Sequence, residues 1–416
     1  MTSIAGIAAR NRDGHPIGIP SWCTANESVL RAILGSYRGS GDTILIEATC
    51  NQVNQFGGYT GLTPRAFRVL IERLAAEAGV PSSQLLLGGD HLGPNPCKAR
   101  PAAEAMGQAC QLVRDYVAAG FTKIHLDASM ACADDIHLAE ARMADRAAEL
   151  CAAAEAASTA GNLSYIIGTE VPVPGGETEA LDTLAVTRPE SALRTYELHR
   201  GALIRRGLGN AFERVIGLVV QPGVDFGNSQ IFEYQPPRAA GLASAVMRFP
   251  GMVFEAHSTD YQSEVALRAL VAGHFAILKV GPELTFAYRE AILAMAAMEA
   301  WLDVPVRSEI LETIGAVMDE MPDYWWNHAT AGAAGKEERV FGLSDRIRYY
   351  WPQPRLAQAV ERLRANLDGA TISPGLLSQY VGAMERAADE ASMSARIIQH
   401  KVGAVVAKYR SACGAI

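Results

Sequence analysis

Eight short apolar runs recur along the first 300 residues, each followed by a polar or Gly/Pro-rich tip and then a longer stretch of helical periodicity. The runs are IGIPSWC (17–23), TILIEAT (43–49), QLLLGGD (84–90), KIHLDAS (123–129), LSYIIGTE (163–170), RVIGLVVQP (214–222), GMVFEAH (251–257) and FAILKVG (275–281). Few alternate cleanly between apolar and polar, as expected of parallel strands covered on both faces. Between them, TPRAFRVLIERLAAEAG opens on a Thr-Pro helix start, and it and AEAMGQACQLVRDYVAAG both end at glycine. Strands alternating with helices read as an α/β fold. Eight of them, with no G-x-G-x-x-G after the first, favour a TIM (β/α)8 barrel over a doubly wound sheet. Past about residue 300 the rhythm changes to the irregular aromatic stretch DYWWNHATAGAAGKEERVFGLSDRIRYYWP, followed by helical patterns such as PRLAQAVERLRANL. The predicted organisation is a barrel over 1–300 carrying the functional site, with 301–416 an aromatic loop and helical extension packed on it.

Composition narrows the function classes. The chain is 49% hydrophobic and 20% charged, with mean hydropathy +0.06, as in ordinary globular proteins. A net charge of -8 argues against a broad nucleic-acid surface, while leaving room for a local phosphate site. Seven cysteines with no C-x-x-C pair point to reduced thiols that pack as small apolar side chains. The first residues lack the apolar core of a signal peptide, and no stretch approaches the ~20 apolar residues of a membrane span. A cytoplasmic location is expected.

In a closed barrel the interior is packed, so chemistry is confined to the rim at the C-terminal ends of the strands. The tips here are dense in functional side chains: Glu47, then Asn51, Gln52, Asn54 and Gln55; Asp90-His91; Asp127 and Ser129; Glu170; Asp225; Glu255, His257 and Asp260; Lys279 and Gly281. Two histidines and several carboxylates on one rim suit a divalent metal, zinc first because of the imidazoles, with manganese or magnesium as alternatives. Three protein ligands suffice at a catalytic site. The predicted set is His91, Asp225 and His257, with Glu170 a fourth ligand or a proton-transfer group. His125 reads as a buried, hydrogen-bonded strand residue; His15, His137, His199, His274, His328 and His400 receive no role.

Other motifs add less. FGGYTG and VPGGE let backbone amides approach an anion, but two glycines in a turn do not define a phosphate cradle. There is no G-x-x-x-x-G-K-[ST] and no nucleophile elbow, which counts against a P-loop kinase and a serine hydrolase. SDRIRYYW places Arg346 and Arg348 among aromatics, where a guanidinium can clamp a phosphate.

The stretches IEATCNQVNQFGGYTGLTP, GGDHLGPNP, KIHLDASM, GTEVPVPGGE, VVQPGVDFG, EAHSTDYQ, FAILKVGPELTFAYREA and SDRIRYYWP together resemble the accessory-subunit family of tagatose-bisphosphate aldolase, the GatZ/KbaZ family. The likeness spans nearly the whole chain. It implies a TIM barrel and a role in galactitol, tagatose or N-acetylgalactosamine catabolism. Members carry the labels non-catalytic aldolase subunit or tagatose 6-phosphate kinase, and some relatives are considered ketose or ketose-phosphate 4-epimerases. A fainter likeness to catalytic class II aldolases implies Asp90 as proton donor and His91 and His257 as metal ligands, with Asp225 standing where those enzymes have a further histidine.

A metal on the C2 carbonyl and C3 hydroxyl of a ketose stabilises the enediolate formed as C3–C4 breaks. Asp90 then serves as acid/base at the C4 hydroxyl. The leading expectation is a metal-dependent 4-epimerase converting D-tagatose 6-phosphate to D-fructose 6-phosphate. Glu170 is a second acid/base, and Lys279 holds negative charge. Ser258, Gly281, Arg346 and Arg348 receive the phosphate; Asn51, Gln52, Gln55 and Asp127 contact the sugar. The alternative is a stabilising subunit of a class II D-tagatose-1,6-bisphosphate aldolase, partnered by the catalytic polypeptide. A phosphorylated ketohexose is the expected small-molecule partner, with a homo-oligomer as a further option and neither nucleic acid nor membrane involved.

Overall fold

Eight parallel strands close on themselves in a computed structural model that describes residues 3–169, 184–328, 333–384 and 391–414. They are β1 (Ile19–Cys23), β2 (Ile44–Thr49), β3 (Leu85–Leu92), β4 (Lys123–Leu126), β5 (Ser164–Ile167), β6 (Val215–Val220), β7 (Val253–Ala256) and β8 (Phe275–Val280). Each pairs with its sequence neighbours, and Ile19 of β1 opposite Ile277 of β8 seals the cylinder. Seven of the eight apolar runs contain their strand; β3 continues two residues beyond its run, through His91 and Leu92. The fold is the predicted (β/α)8 barrel with a C-terminal helical extension.

Side chains alternate across a strand, so residues two apart share a face. Ile19, Leu45, Ile166, Val219, Val253 and Ile277 form an apolar layer inside the barrel. Helix α1 (Ile4–Arg12) closes it from below by adding Ile4, Ile7 and Ala8 to the same cluster. Two residues further along the same faces stand Glu47, Glu255 and Lys279, joined by Lys123 and His125 of β4, all buried. The barrel interior is therefore apolar at the bottom and ionic at the top. Gly88 on β3 makes room for this: a Cβ there would lie 2.4 Å from Glu47 Oε1.

A larger apolar cluster fills the space between strands and helices, and the final helix, Met393–Ala412, belongs to it through Ile397, Val402, Val406 and Tyr409. That helix packs on Glu27–Gly35, Glu264–Ala272 and Pro282–Glu299. The backbone oxygen of Cys413 accepts from the Gly18 amide just ahead of β1 (3.0 Å). All seven cysteines are buried and unpaired. No helix among the described residues is long and apolar enough to cross a membrane.

His199, on the helix Pro189–Arg205, donates from Nδ1 to the Thr195 carbonyl (2.8 Å) and buries Nε2 without a hydrogen-bond partner. Burial depresses its pKa to about 4. Between that value and ~6.5 the unfolded chain binds a proton that the native chain refuses, so stability rises with pH and is lost on acidification. Urea midpoints measured from pH 7 to pH 4 are expected to fall less steeply for His199→Gln than for the wild type. Parallel pH dependences for the two proteins would refute this.

Candidate active site at the barrel mouth

The ionic upper layer is one connected network. Lys123 Nζ lies 2.6 Å from Glu47 Oε1 and 2.7 Å from Glu255 Oε2, with all three side chains fully buried. Lys279 Nζ pairs with Glu47 Oε2 and, at 2.8 Å, with Asp90 Oδ2. Buried ions are tolerated only when each has close counter-charges, and β2, β3, β4, β7 and β8 supply them in turn.

Three imidazoles sit above this layer. Ring centroids are 5.1 Å apart for His91–His125, 5.0 Å for His91–His257 and 5.4 Å for His125–His257. Each ring is tied by one nitrogen to a carboxylate: His91 Nδ1 to Asp127 Oδ2 (2.8 Å), His125 Nδ1 to Asp90 Oδ1 (2.9 Å) and His257 Nε2 to Glu255 Oε1 (2.9 Å). Asp127 is itself held by the Ser129 amide (2.9 Å) and hydroxyl (2.6 Å). A carboxylate that takes one N–H fixes the tautomer and turns the other nitrogen outward as a lone-pair donor. His125 Nε2 is such an atom, buried and without a hydrogen-bond partner. His91 achieves its position in the left-handed region (φ +48°), and so does Ser258 (φ +52°) at the tip of β7; strain of this kind collects at functional sites.

The charges reinforce one another. Burial pushes Asp90 up, but His91, Lys279, His125 and His257 outweigh it and hold the carboxyl well below its usual range. Burial pushes His91 down, yet Asp90 and Asp127 raise it on balance. His257 is depressed by burial to about 4, against the opposing pull of Glu255. Lys279 is raised well above its normal value because Asp90 and Glu47 overcome burial. Four carboxylates (Glu47, Asp90, Asp127, Glu255) thus face two ammonium groups, leaving a deficit of positive charge at the imidazole layer.

The donor set fits a divalent cation. One ligand atom from each of Asp90, His125, Glu255 and His257 lies within 4.8 Å of the others, a mixed imidazole–carboxylate group of the kind zinc or a related ion accepts. Of the predicted ligands, His257 belongs to that group. His91 stands beside it, its ring held by Asp127. Asp225 does not join it: it lies in a two-stranded hairpin (Asp225–Phe226 with Ile231–Phe232), where its Oδ1 accepts from the Phe226 amide (2.8 Å). Glu170 falls outside the described residues.

Above the imidazoles opens a pocket of about 720 Å3, open mouth included. Of the predicted substrate contacts, Asn51, Gln52, Ser258, Lys279, Gly281 and Arg348 line it, alongside Asp90, His91 and His257. Gln55 turns away to the Gln108 carbonyl (3.1 Å). Arg346 donates from Nε to the Tyr324 carbonyl (2.7 Å) and lies behind the lining. Asp127 acts on His91 rather than on the pocket. Sequence reasoning passed over Lys123 and treated His125 as structural. The available signal was alternation: in KIHL and FEAH the polar residues stand two apart in apolar strands, which aims both into the barrel. Tyr349, Tyr59 and Asp260 also line the pocket and had no assigned role.

Fold and mouth together define a TIM-barrel protein with a buried cluster of histidines, carboxylates and lysines opening into a pocket at the rim. The family described as D-tagatose-1,6-bisphosphate aldolase subunit GatZ/KbaZ-like matches residues 4–414. The D-tagatose-1,6-bisphosphate aldolase subunit GatZ of Salmonella newport (strain SL254) is 49% identical over 422 residues, 98% of each chain. The subunit of the same name from Klebsiella oxytoca is 51% identical over 387 residues, 90% of each. A crystal structure titled as a probable tagatose 6 phosphate kinase from Sinorhizobium meliloti 1021 superposes with a TM-score of 0.86 at 44% identity, covering 95% of this chain and all of that one. The chain belongs to the GatZ/KbaZ-like family.

Proposed function

We propose that this chain is a subunit of a D-tagatose-1,6-bisphosphate aldolase, supporting a separate catalytic polypeptide. The observation that carries this reading is end-to-end similarity: relatives of that name match 98% of both chains at about half identity. Catabolism of galactitol or tagatose is the corresponding setting.

A second reading is favoured by the mouth itself. A chain that only stabilised a partner would need neither three carboxylate-oriented imidazoles nor a lysine–carboxylate network beneath them. In this reading the chain is a 4-epimerase for D-tagatose 6-phosphate. A divalent cation, zinc by preference, would polarise the ketose C2 carbonyl when bound by His257, His125 and Glu255, with His91 adjoining and Asp90 kept as the acid/base. Asp90, held deprotonated, accepts the C4 hydroxyl proton as the C3–C4 bond breaks, and the electron pair moves onto the C2 oxygen. Lys279 donates to the developing negative charge. The aldehyde fragment turns its other face, the bond re-forms, and the proton returns from Asp90 to the inverted C4 oxygen. Asn51 and Gln52 orient sugar hydroxyls. Arg348 and Tyr349 meet the phosphate.

One pair of assays separates the readings. Purified chain with zinc or manganese and D-tagatose 6-phosphate is expected to give no fructose 6-phosphate under the first, while prolonging the activity of a co-purified catalytic subunit. Turnover without a partner, lost in Asp90→Asn, would establish the second and overturn the first as a complete description.

A further inference from the structure

The pocket has two chemically opposite sides. Arg348 and Tyr349 come from the C-terminal extension, and Tyr349 packs edge-on against Tyr59 beyond β2 (4.7 Å). The Arg348 guanidinium lies over the Tyr349 ring (4.5 Å) and donates to its hydroxyl (3.0 Å). Their segment is fastened at three points. Arg289, fully buried on the helix after β8, reaches Asp345 Oδ1 (3.3 Å) and the Val340 carbonyl. Tyr261 donates to the Leu343 carbonyl, and the Leu343 amide donates to Asn228 (2.8 Å). The cation is therefore held in place before any ligand arrives.

Across the mouth, at the tips of β7 and β8, the helix Pro282–Glu299 begins at Gly281. Its first amides are the expected receptor for a ligand phosphate. They are taken. Asp260 Oδ1 accepts from the Gly281 amide (2.9 Å) and the Glu283 amide (2.8 Å). Pro282 has no N–H, and the Leu284 amide bonds back to the Gly281 carbonyl (3.1 Å). Glu283 adds a second carboxylate, bonded to the Tyr261 amide (2.8 Å) and paired with Lys408. Asp260 is buried yet lines the pocket, so a group seated there meets a side-chain oxygen already bonded to the N–H donors a phosphate needs.

We propose that Asp260 fills the anion cradle at the start of the helix after β8, so that this pocket takes a ketose with a single phosphate, directed at Arg348 and Tyr349, and rejects a bisphosphate. The inference rests on the reading of the mouth as a ketose site. It divides the labour within the family's chemistry: a 1,6-bisphosphate is left to a separate catalytic site, and this chain selects the monophosphate.

Calorimetric titration tests it. The wild type is expected to bind D-tagatose 6-phosphate at least tenfold more tightly than D-tagatose 1,6-bisphosphate, and to saturate with one inorganic phosphate per chain. Asp260→Ser frees both amides; the preference should shrink below threefold and the phosphate count rise to two. Asp260→Asn, which keeps an oxygen on the amides, should behave as the wild type and controls for folding. Arg348→Gln should abolish the single wild-type phosphate. Equal binding of mono- and bisphosphate by the wild type, two phosphates in the wild type, or one in Asp260→Ser would overturn the proposal. If no sugar binds but the phosphate counts run one and two, the ketose reading fails and the occupied cradle stands.

Discussion

Lys123→Met is expected to destabilise the chain by about 3–5 kcal/mol, the usual cost of removing one partner from a buried ion pair. Lys123 is completely buried between Glu47 and Glu255, which both lie within 2.7 Å and are themselves fully covered. Methionine fills similar volume but leaves two carboxylates inside the barrel short of a counter-charge, and neither can turn to water. Lys279 still pairs with Glu47, so the larger share of the penalty falls on Glu255 and, through its bond to His257, on the imidazole layer. Urea unfolding measures the effect. By contrast Arg73, on an exposed helix face with Glu27 and Glu77, should leave the midpoint unchanged when replaced by alanine. A Lys123→Met protein with the wild-type midpoint would mean that the ionic layer is hydrated.

His125→Ala should weaken binding of zinc or manganese by at least ~100-fold, since even an outer partner of a metal-bound histidine is worth 10–100-fold. The ring is fully buried, is oriented by Asp90, has one nitrogen without a hydrogen-bond partner, and belongs to the group formed with Glu255 and His257. Asp127→Asn, which acts only through His91, should cost less, about 10-fold to 100-fold. Isothermal titration of the metal-stripped proteins gives both numbers. Unchanged affinity in His125→Ala would remove that residue from the site.

The contrast between these two residues explains how much was legible in the sequence. The strands were readable because a strand covered on both faces must be apolar at nearly every position, and the eight short runs that end in a polar or Gly/Pro tip meet that demand. Asp90, His91 and His257 were readable because they interrupt such segments at the ends where a barrel opens. His125 and Lys123 were not, because a polar residue in mid-strand is usually a satisfied core group, and its partners here come from β2, β3 and β7, more than 30 residues distant in either direction. Asp225 stands outside the group formed by Asp90, His125, Glu255 and His257. It follows β6 at a plausible interval, but the chain there enters a hairpin that pairs Asp225 with Phe232. The Gly281 amide looked available to phosphate because nothing in the sequence says that Asp260, 21 residues earlier, bonds to it.

The central claim, that the barrel mouth is a divalent-cation site, is tested most directly by anomalous diffraction from crystals grown with zinc or manganese. The account predicts a single strong peak at ordinary bonding distance, ~2.0–2.2 Å, from donor atoms of His257, His125 and Glu255 and beside Asp90. A crystal in which the ion binds elsewhere, with the three imidazoles still bonded only to their carboxylates, would contradict it.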